Sequence, residues 1–360
     1  MKILIVFCLL LSGCSLFRTK PDVSPLPPKA SVRAEQEKIL QEADAEFEKK
    51  NYKLSLEKFE SFVQKYPQSI FFAQANLGVA QSYLSLGAWE KAVTSFRTVI
   101  NFTRTKQPEI SAKSLYSSAY CYEMLGNDVR LLATLKDAEA LSAYLPEDIR
   151  LAELPARLAS VYYKLGRELQ ADRYFQIADR GMSQLRAQEA GKLSKAWIAK
   201  TYFQMGGLTS SQLSSENLRS HMESLAKMQV FTLKAIEENG EPWSQRALDN
   251  LRRNYMDIWN TIQSWPKESN LDPVAGHKRQ VQNQAQLYTD LLTTMERFRT
   301  FVAPESQEKN QKVGELLAYL NEMEIKAREF IMNSGVYNDL TPDAKKRQGP
   351  RIEGVIRDEK

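Results

Sequence analysis

A motif that returns about every 40 residues constrains this chain more than any other feature. A small residue is followed three positions later by Tyr, and the Tyr four positions later by Gly. The copies are Ala80, Tyr83, Gly87; Ala119, Tyr122, Gly126; Ala159, Tyr162, Gly166; and Ala199, Tyr202, Gly206. The tyrosines stand 39, 40 and 40 positions apart. Steps of three and four keep Ala and Tyr on one face of a helix, and Gly suits a left-handed helix cap. Each copy therefore predicts a helix closed by Gly. A second amphipathic helix follows: Trp89, Ala92, Phe96 and Val99 after the first Gly, and Ala171, Phe175 and Ala178 after the third. A degenerate earlier copy begins at Ala43, with Phe47, Asn51 and Tyr52, and its second helix carries Ser55, Phe59 and Phe62 before Tyr66-Pro67. Five related units fill about residues 35–210. Small residues let paired helices approach closely, and the aromatics fill the space between pairs.

The remainder of the sequence agrees with an all-α reading. Only 15 Gly and 14 Pro occur in 360 residues, and the good helix formers Ala, Leu, Glu, Lys and Gln dominate the interior. After about Ser214 the predicted helices lengthen to roughly 214–238, 242–264, 278–302 and 306–332. The last two carry apolar stripes, Leu287/Leu291/Met295/Phe298 and Val313/Leu317/Leu320/Ala327/Phe330, with Pro304 suggesting a tight hairpin between them. Charges interrupt every stretch, which excludes a membrane-spanning helix here. This half reads as a helical bundle that caps the last repeat. The final residues, with Lys345-Lys346-Arg347 and Gly349-Pro350, read as a disordered tail; Arg351 to Arg357 is a short apolar-basic element within it.

The N-terminus reads as a targeting signal. Lys2, the apolar run Ile3–Leu11 and the small residues before Cys14 read as a secretory signal. The run is about half of the ~20 residues that a bilayer span requires. A proline-rich tether follows, with Pro21, Pro25, Pro27 and Pro28. Cys8 would leave with the signal, so Cys121 is the one thiol left besides Cys14, and no internal disulfide is expected. A net charge of +5 is too weak and dispersed for nucleic acid.

Two resemblances sharpen this reading. Leu11-Ser12-Gly13-Cys14 resembles the lipobox of bacterial lipoproteins, which implies cleavage before Cys14, acylation of that cysteine and, with Ser15 next, sorting to the periplasmic face of the outer membrane. The repeated pattern looks like the tetratricopeptide repeat, a helix-turn-helix unit normally 34 residues long. Asn51-Tyr52 through Pro67-Gln68-Ser69, then Leu84–Gly87 through Phe96, most resembles the outer-membrane-assembly lipoprotein (BamD-like) group, and also cell-division coordinator proteins. Departures exist: Leu131 and Leu135 replace Ala and Phe in the third unit, and the fifth loses the pattern after Gly206-Gly207. The implied fold is an all-α, tetratricopeptide-like solenoid with a C-terminal bundle of longer helices. The implied domains are 1–13 signal peptide, 14–33 lipidated Cys and tether, 34–212 repeats, 213–335 bundle and 336–360 tail. In such repeats the first helix of each unit lines a binding groove. By position this implies Tyr116, Tyr120 and Glu123 from the third unit, Ser160 and Tyr163 from the fourth, and Lys200 and Phe203 from the fifth. At helical spacing, packing between neighbouring hairpins is the commoner role of such aromatics. No carboxylate-clamp arrangement is evident.

Catalytic chemistry is poorly represented. The only histidines, His221 and His277, lie in different predicted helices and outside metal-ligand spacing. No nucleophile elbow or phosphate loop occurs. Ser55-Leu56-Glu57-Lys58 and Ser264-Trp265-Pro266-Lys267 fit Ser-x-x-Lys, but the accompanying motifs of such enzymes are absent and Ser55 occupies a small-residue packing position. No enzyme activity, cofactor, metal or small-molecule substrate is therefore expected. The expected partners are other envelope proteins, with the membrane reached through Cys14, in outer-membrane assembly, peptidoglycan synthesis, motility or secretion. Activation of a peptidoglycan enzyme and self-association through the C-terminal helices are the alternatives.

Overall fold

The computed structural model describes residues 30–188, 192–207, 213–267 and 271–335. Cys14, the tether and the tail motif 351–357 lie outside the described residues. Among the described residues there is no strand, and the fold class is all-α, built from helix hairpins. The chain forms two compact units, up to Phe102 and from Thr103.

The first unit contains α1 (Ala30–Glu48), α2 (Tyr52–Lys65), α3 (Phe72–Ser85) and α4 (Trp89–Thr103). α2 packs against both α1 and α3. Leu40, Ala43, Phe59, Phe62, Ala75 and Val79 form one apolar cluster there. Ala43 and Ala75 are small enough to bring the backbones together while the phenylalanines fill the remaining volume. Ser55 sits inside this packing, fully buried, and donates to the Ala43 carbonyl at 3.0 Å. A hydroxyl shielded from water and already bonded is a packing group, as its repeat position suggested. Ala92, Phe96 and Val99 are the buried stripe of α4, and Phe102 meets Phe72 at 5.4 Å between ring centroids.

The second unit continues with α5 (Pro108–Met124), α6 (Asp128–Ala140), a 3-10 turn (Ser142–Tyr144), a π-helical turn (Ile149–Glu153), α7 (Leu154–Lys164), α8 (Glu168–Gln188), α9 (Lys195–Gly206) and α10 (Leu218–Glu237). α5 pairs with α6, α7 with α8, and α9 with α10. Then come α11 (Trp243–Gln263), α12 (Pro273–Phe301), the six-residue α13 (Pro304–Lys309) and α14 (Gln311–Asn333). α10 packs on α11, α12 and α14, so the hairpins before residue 212 and the longer helices after it share this unit.

The repeated motif has a local physical cause. Gly87, Gly126 and Gly166 adopt φ of +73°, +66° and +69°. In each turn the amide after the glycine donates to the motif tyrosine's carbonyl: Ala88 to Tyr83, Asn127 to Tyr122 and Arg167 to Tyr162. The glycine amide donates one residue further on, as Gly126 does to Glu123. This double bond pattern closes a helix on carbonyls that would otherwise be unpaired. Gly206 behaves differently from the expectation that each Gly caps its helix. It is the last helical residue of α9, and a Cβ there would lie 2.5 Å from the Thr232 amide nitrogen of α10. Its smallness permits close helix approach, and Thr232 donates to its carbonyl at 2.9 Å.

Two C-terminal boundaries also differ from those predicted. α12 starts at Pro273 because the Asp272 carboxylate accepts from the Val274 and Ala275 amides at 3.0 and 3.1 Å. Pro304 opens α13 instead of marking a tight hairpin, since a residue without an amide hydrogen fits a first helical turn. Asn310 then caps α14 through Lys312 and Val313.

Candidate partner-binding face

α5, α7 and α9 are the first helices of three successive hairpins, and their side chains meet in one polar cluster. Its origin is the segment Ala152–Ala159, in which every residue is buried. Glu153 and Arg157 fall inside that segment, one turn apart. A helix buried all round cannot leave a charge unmatched, so each must find a partner on a neighbouring helix. Arg157 reaches α5: its Nη2 donates to Glu123 Oε2 at 3.0 Å and its Nη1 to the Tyr116 carbonyl at 3.3 Å. The guanidinium also lies 4.9 Å from the centre of the Tyr116 ring. Glu153 reaches α9, accepting from Trp197 Nε1 at 2.8 Å and from Lys200 Nζ.

The backbone before α7 places Glu153 where it is. Pro155 has no amide to donate to the carbonyl of Leu151, four residues back, and the chain there runs as a π turn. Gly181 of α8 accommodates that carbonyl; a Cβ at 181 would lie 1.8 Å from the Leu151 oxygen.

The electrostatics follow from burial and pairing. Desolvation would raise the Glu153 carboxyl, but Lys200 beside it, with hydrogen bonds from Lys200 and Trp197, leaves it below the ordinary value of 4.5. Arg157, 5% exposed, is desolvated as well, yet Tyr116 and Glu123 hold it firmly charged. Burial pushes the Tyr116 hydroxyl well above its ordinary value. The Tyr116 hydroxyl and Arg157 Nε are buried without a hydrogen-bond partner, as is Gln204 Oε1 on α9. A void of about 10 Å³ beside Glu123, Arg157, Ser160, Lys164 and Gln204 is the size of a single water.

The structure sorts the residues expected in a groove into two groups. Tyr116, Glu123 and Lys200 join the cluster, Ser160 lines its void, and Tyr120 stands exposed (41%) on α5, one turn from both Tyr116 and Glu123. Tyr163 and Phe203 go elsewhere. Tyr163 lies among Ser224, Glu168 and Lys227, where burial raises its hydroxyl. Phe203 packs on Trp243 of α11 at 5.9 Å, the packing role that is commoner at its spacing. Sequence reasoning missed Glu153, Arg157, Trp197 and Gln204. The readable signal was a Glu and an Arg four positions apart inside Leu151–Ala159, an otherwise largely apolar run.

A second concavity of about 420 Å³ lies between α10 and α12, lined by Met222 and Ala226 and by charges of both signs, Arg219, Glu223, Lys227, Asp290 and Arg297. Cys121 is buried, its thiol pushed up to about 11 by desolvation, which makes it a small packing group. Among the described residues no cluster of His, Cys, Asp and Glu could hold a metal, and no helix is long and apolar enough to cross a membrane.

No curated protein matches the chain. Residues 39–69, from the later part of α1 through α2, match the tetratricopeptide repeat family. The chain thus contains a tetratricopeptide repeat, a module whose usual work is to bind other proteins.

Proposed function

We propose that this chain is a lipid-anchored scaffold that holds partner proteins of a bacterial envelope on the α5–α7–α9 face. One observation carries the reading: three successive first helices are locked together by buried cross-helix bonds while Tyr120 is left exposed beside them. Preorganised faces bind better because less side-chain freedom is lost on association, and exposed tyrosines are good anchors. The matched repeat at 39–69 supports a protein partner. The lipobox-like Leu11–Cys14 supports an acyl anchor and the outer membrane, where several acyl chains give stable attachment. The likeness of the first repeats to outer-membrane-assembly lipoproteins supports an assembly complex.

The test is a photo-crosslinking amino acid at position 120 in the full chain, expressed in a bacterium that processes lipoproteins. A discrete protein adduct, absent when the same group stands at exposed Val274 on α12, is the expected outcome. Uniform crosslinking at both positions, or none at 120, would sink the reading.

A further inference from the structure

We propose that segment 351–357 of this chain docks into the groove between α10 and α12, so that the protein covers that surface with its own tail. The groove lies within the second unit and shares no residue with the α5–α7–α9 cluster.

The charges of the groove point to the occupant. Arg219, Glu223 and Lys227 follow at four-residue steps along α10, and Asp290 and Arg297 lie on α12. Two of these are engaged within the fold: Lys227 pairs with Glu168 at 2.9 Å, and Asp290 accepts from Gln286 Nε2 at 3.2 Å. Among the described residues Arg219, Glu223 and Arg297 make no ion pair, and all three are exposed. Two free cations and one free anion fit an occupant of the opposite balance. The tail has it: Glu353, Asp358 and Glu359 against Arg351 and Arg357. Glu353 and Arg357 also repeat, with signs reversed, the four-residue step from Arg219 to Glu223. Ile352, Val355 and Ile356 share a face at helical spacing, to meet Met222 and Ala226. The concavity of about 420 Å³ is within the range of ligand-sized clefts, roughly 300–1,000 Å³. Reach is ample. Phe330, near the end of α14, packs on Tyr288 of α12 at 5.0 Å, and Arg297 lies only about 14 Å further along that helix. Residues 336–350 span up to roughly 50 Å when extended. Tethering gives the segment an effective concentration in the millimolar range at the groove, so rim pairs that are individually weak suffice to hold it.

The test places a photo-crosslinking amino acid at position 354, where Gly has no side chain to lose, in the full chain, dilute and in mild detergent at low salt. Adducts are separated by size and mapped by mass spectrometry. The expected adduct runs as a monomer and joins the tail to 219–227 or 290–297. Arg219→Glu should lower its yield about fivefold, the scale of an exposed ion pair. Adding Glu353→Arg should restore the yield, because the pair is rebuilt with its signs exchanged. Arg219 is exposed and makes no ion pair, so its replacement leaves the packing intact. Arg297→Glu, on the other helix, carries the same expectation of loss. An adduct elsewhere on the chain, an adduct only to a second copy or to another protein, or no adduct would overturn the proposal. So would an unchanged yield in Arg219→Glu, or a loss that Glu353→Arg does not restore.

Discussion

At residue scale, the Glu153–Lys200 pair shows how the two ends of one ion pair differ in consequence. Glu153 is 6% exposed and Lys200 31%. Removing the lysine strands a buried carboxylate, whereas removing the glutamate leaves a cation that water can reach. Lys200→Met should therefore cost about 3 kcal/mol in urea unfolding. Adding Glu153→Gln should recover much of that loss, since a neutral amide needs no cation. A double-mutant cycle reads the difference. The same carboxyl gives a pH signature. Its folded value lies below the ordinary 4.5, so its contribution is complete above 4.5 and is lost as pH falls through the lowered folded value. The urea midpoint should drop with acid in that window, and Glu153→Gln should make the drop shallower. His221 acts in a higher window. Burial holds it below 6.5, with its ring bonded to Asn254 Oδ1 at 2.8 Å. A base held neutral in the fold contributes fully above 6.5 and loses that contribution as pH falls through its folded value. His221→Gln should therefore flatten the loss of stability that begins as pH falls below 6.5.

At the scale of elements, the hairpins depend on glycines of two kinds that the sequence writes identically. At Gly126 the chain is left-handed, φ +66°, and nothing lies near the position of a Cβ. Gly126→Ala should cost about 1 kcal/mol, the strain of that backbone alone. Gly206 meets the α10 backbone, which cannot turn aside as a flexible side chain would. Gly206→Ala should cost about 3 kcal/mol through overpacking and separation of α9 from α10. Thermal unfolding of the two variants checks the order. The motif at 199–206 copies the earlier ones in letters, but Gly206 is helical and its neighbour Gly207 ends the helix by donating to Phe203. Local sequence cannot distinguish a capping glycine from a packing glycine, because the distinction lies in what approaches from another helix.

At the scale of the molecule, the proposed anchor makes a direct claim. Cells fed a labelled fatty acid should label the native chain, and Cys14→Ser should lose the label and release the chain from the membrane fraction. Retention of that variant in the membrane would point to some other attachment.

The sequence by itself determined the helical class, the hairpin rhythm from residue 35 to about 210 and the stripes of the later helices, because helix periodicity and glycine caps act within a few residues of one another. It also placed Tyr116, Tyr120, Glu123 and Lys200 on the first helices of their units. Tertiary structure alone decided that Tyr163 and Phe203 turn away from them, that Glu153 and Arg157 bridge three helices, and that the fold divides between Phe102 and Thr103. Those outcomes depend on which helix lies opposite each side chain and how much water remains between them. Burial turns a charge on a helix into a requirement for a partner, and that partner can lie 47 positions away, as Lys200 does from Glu153.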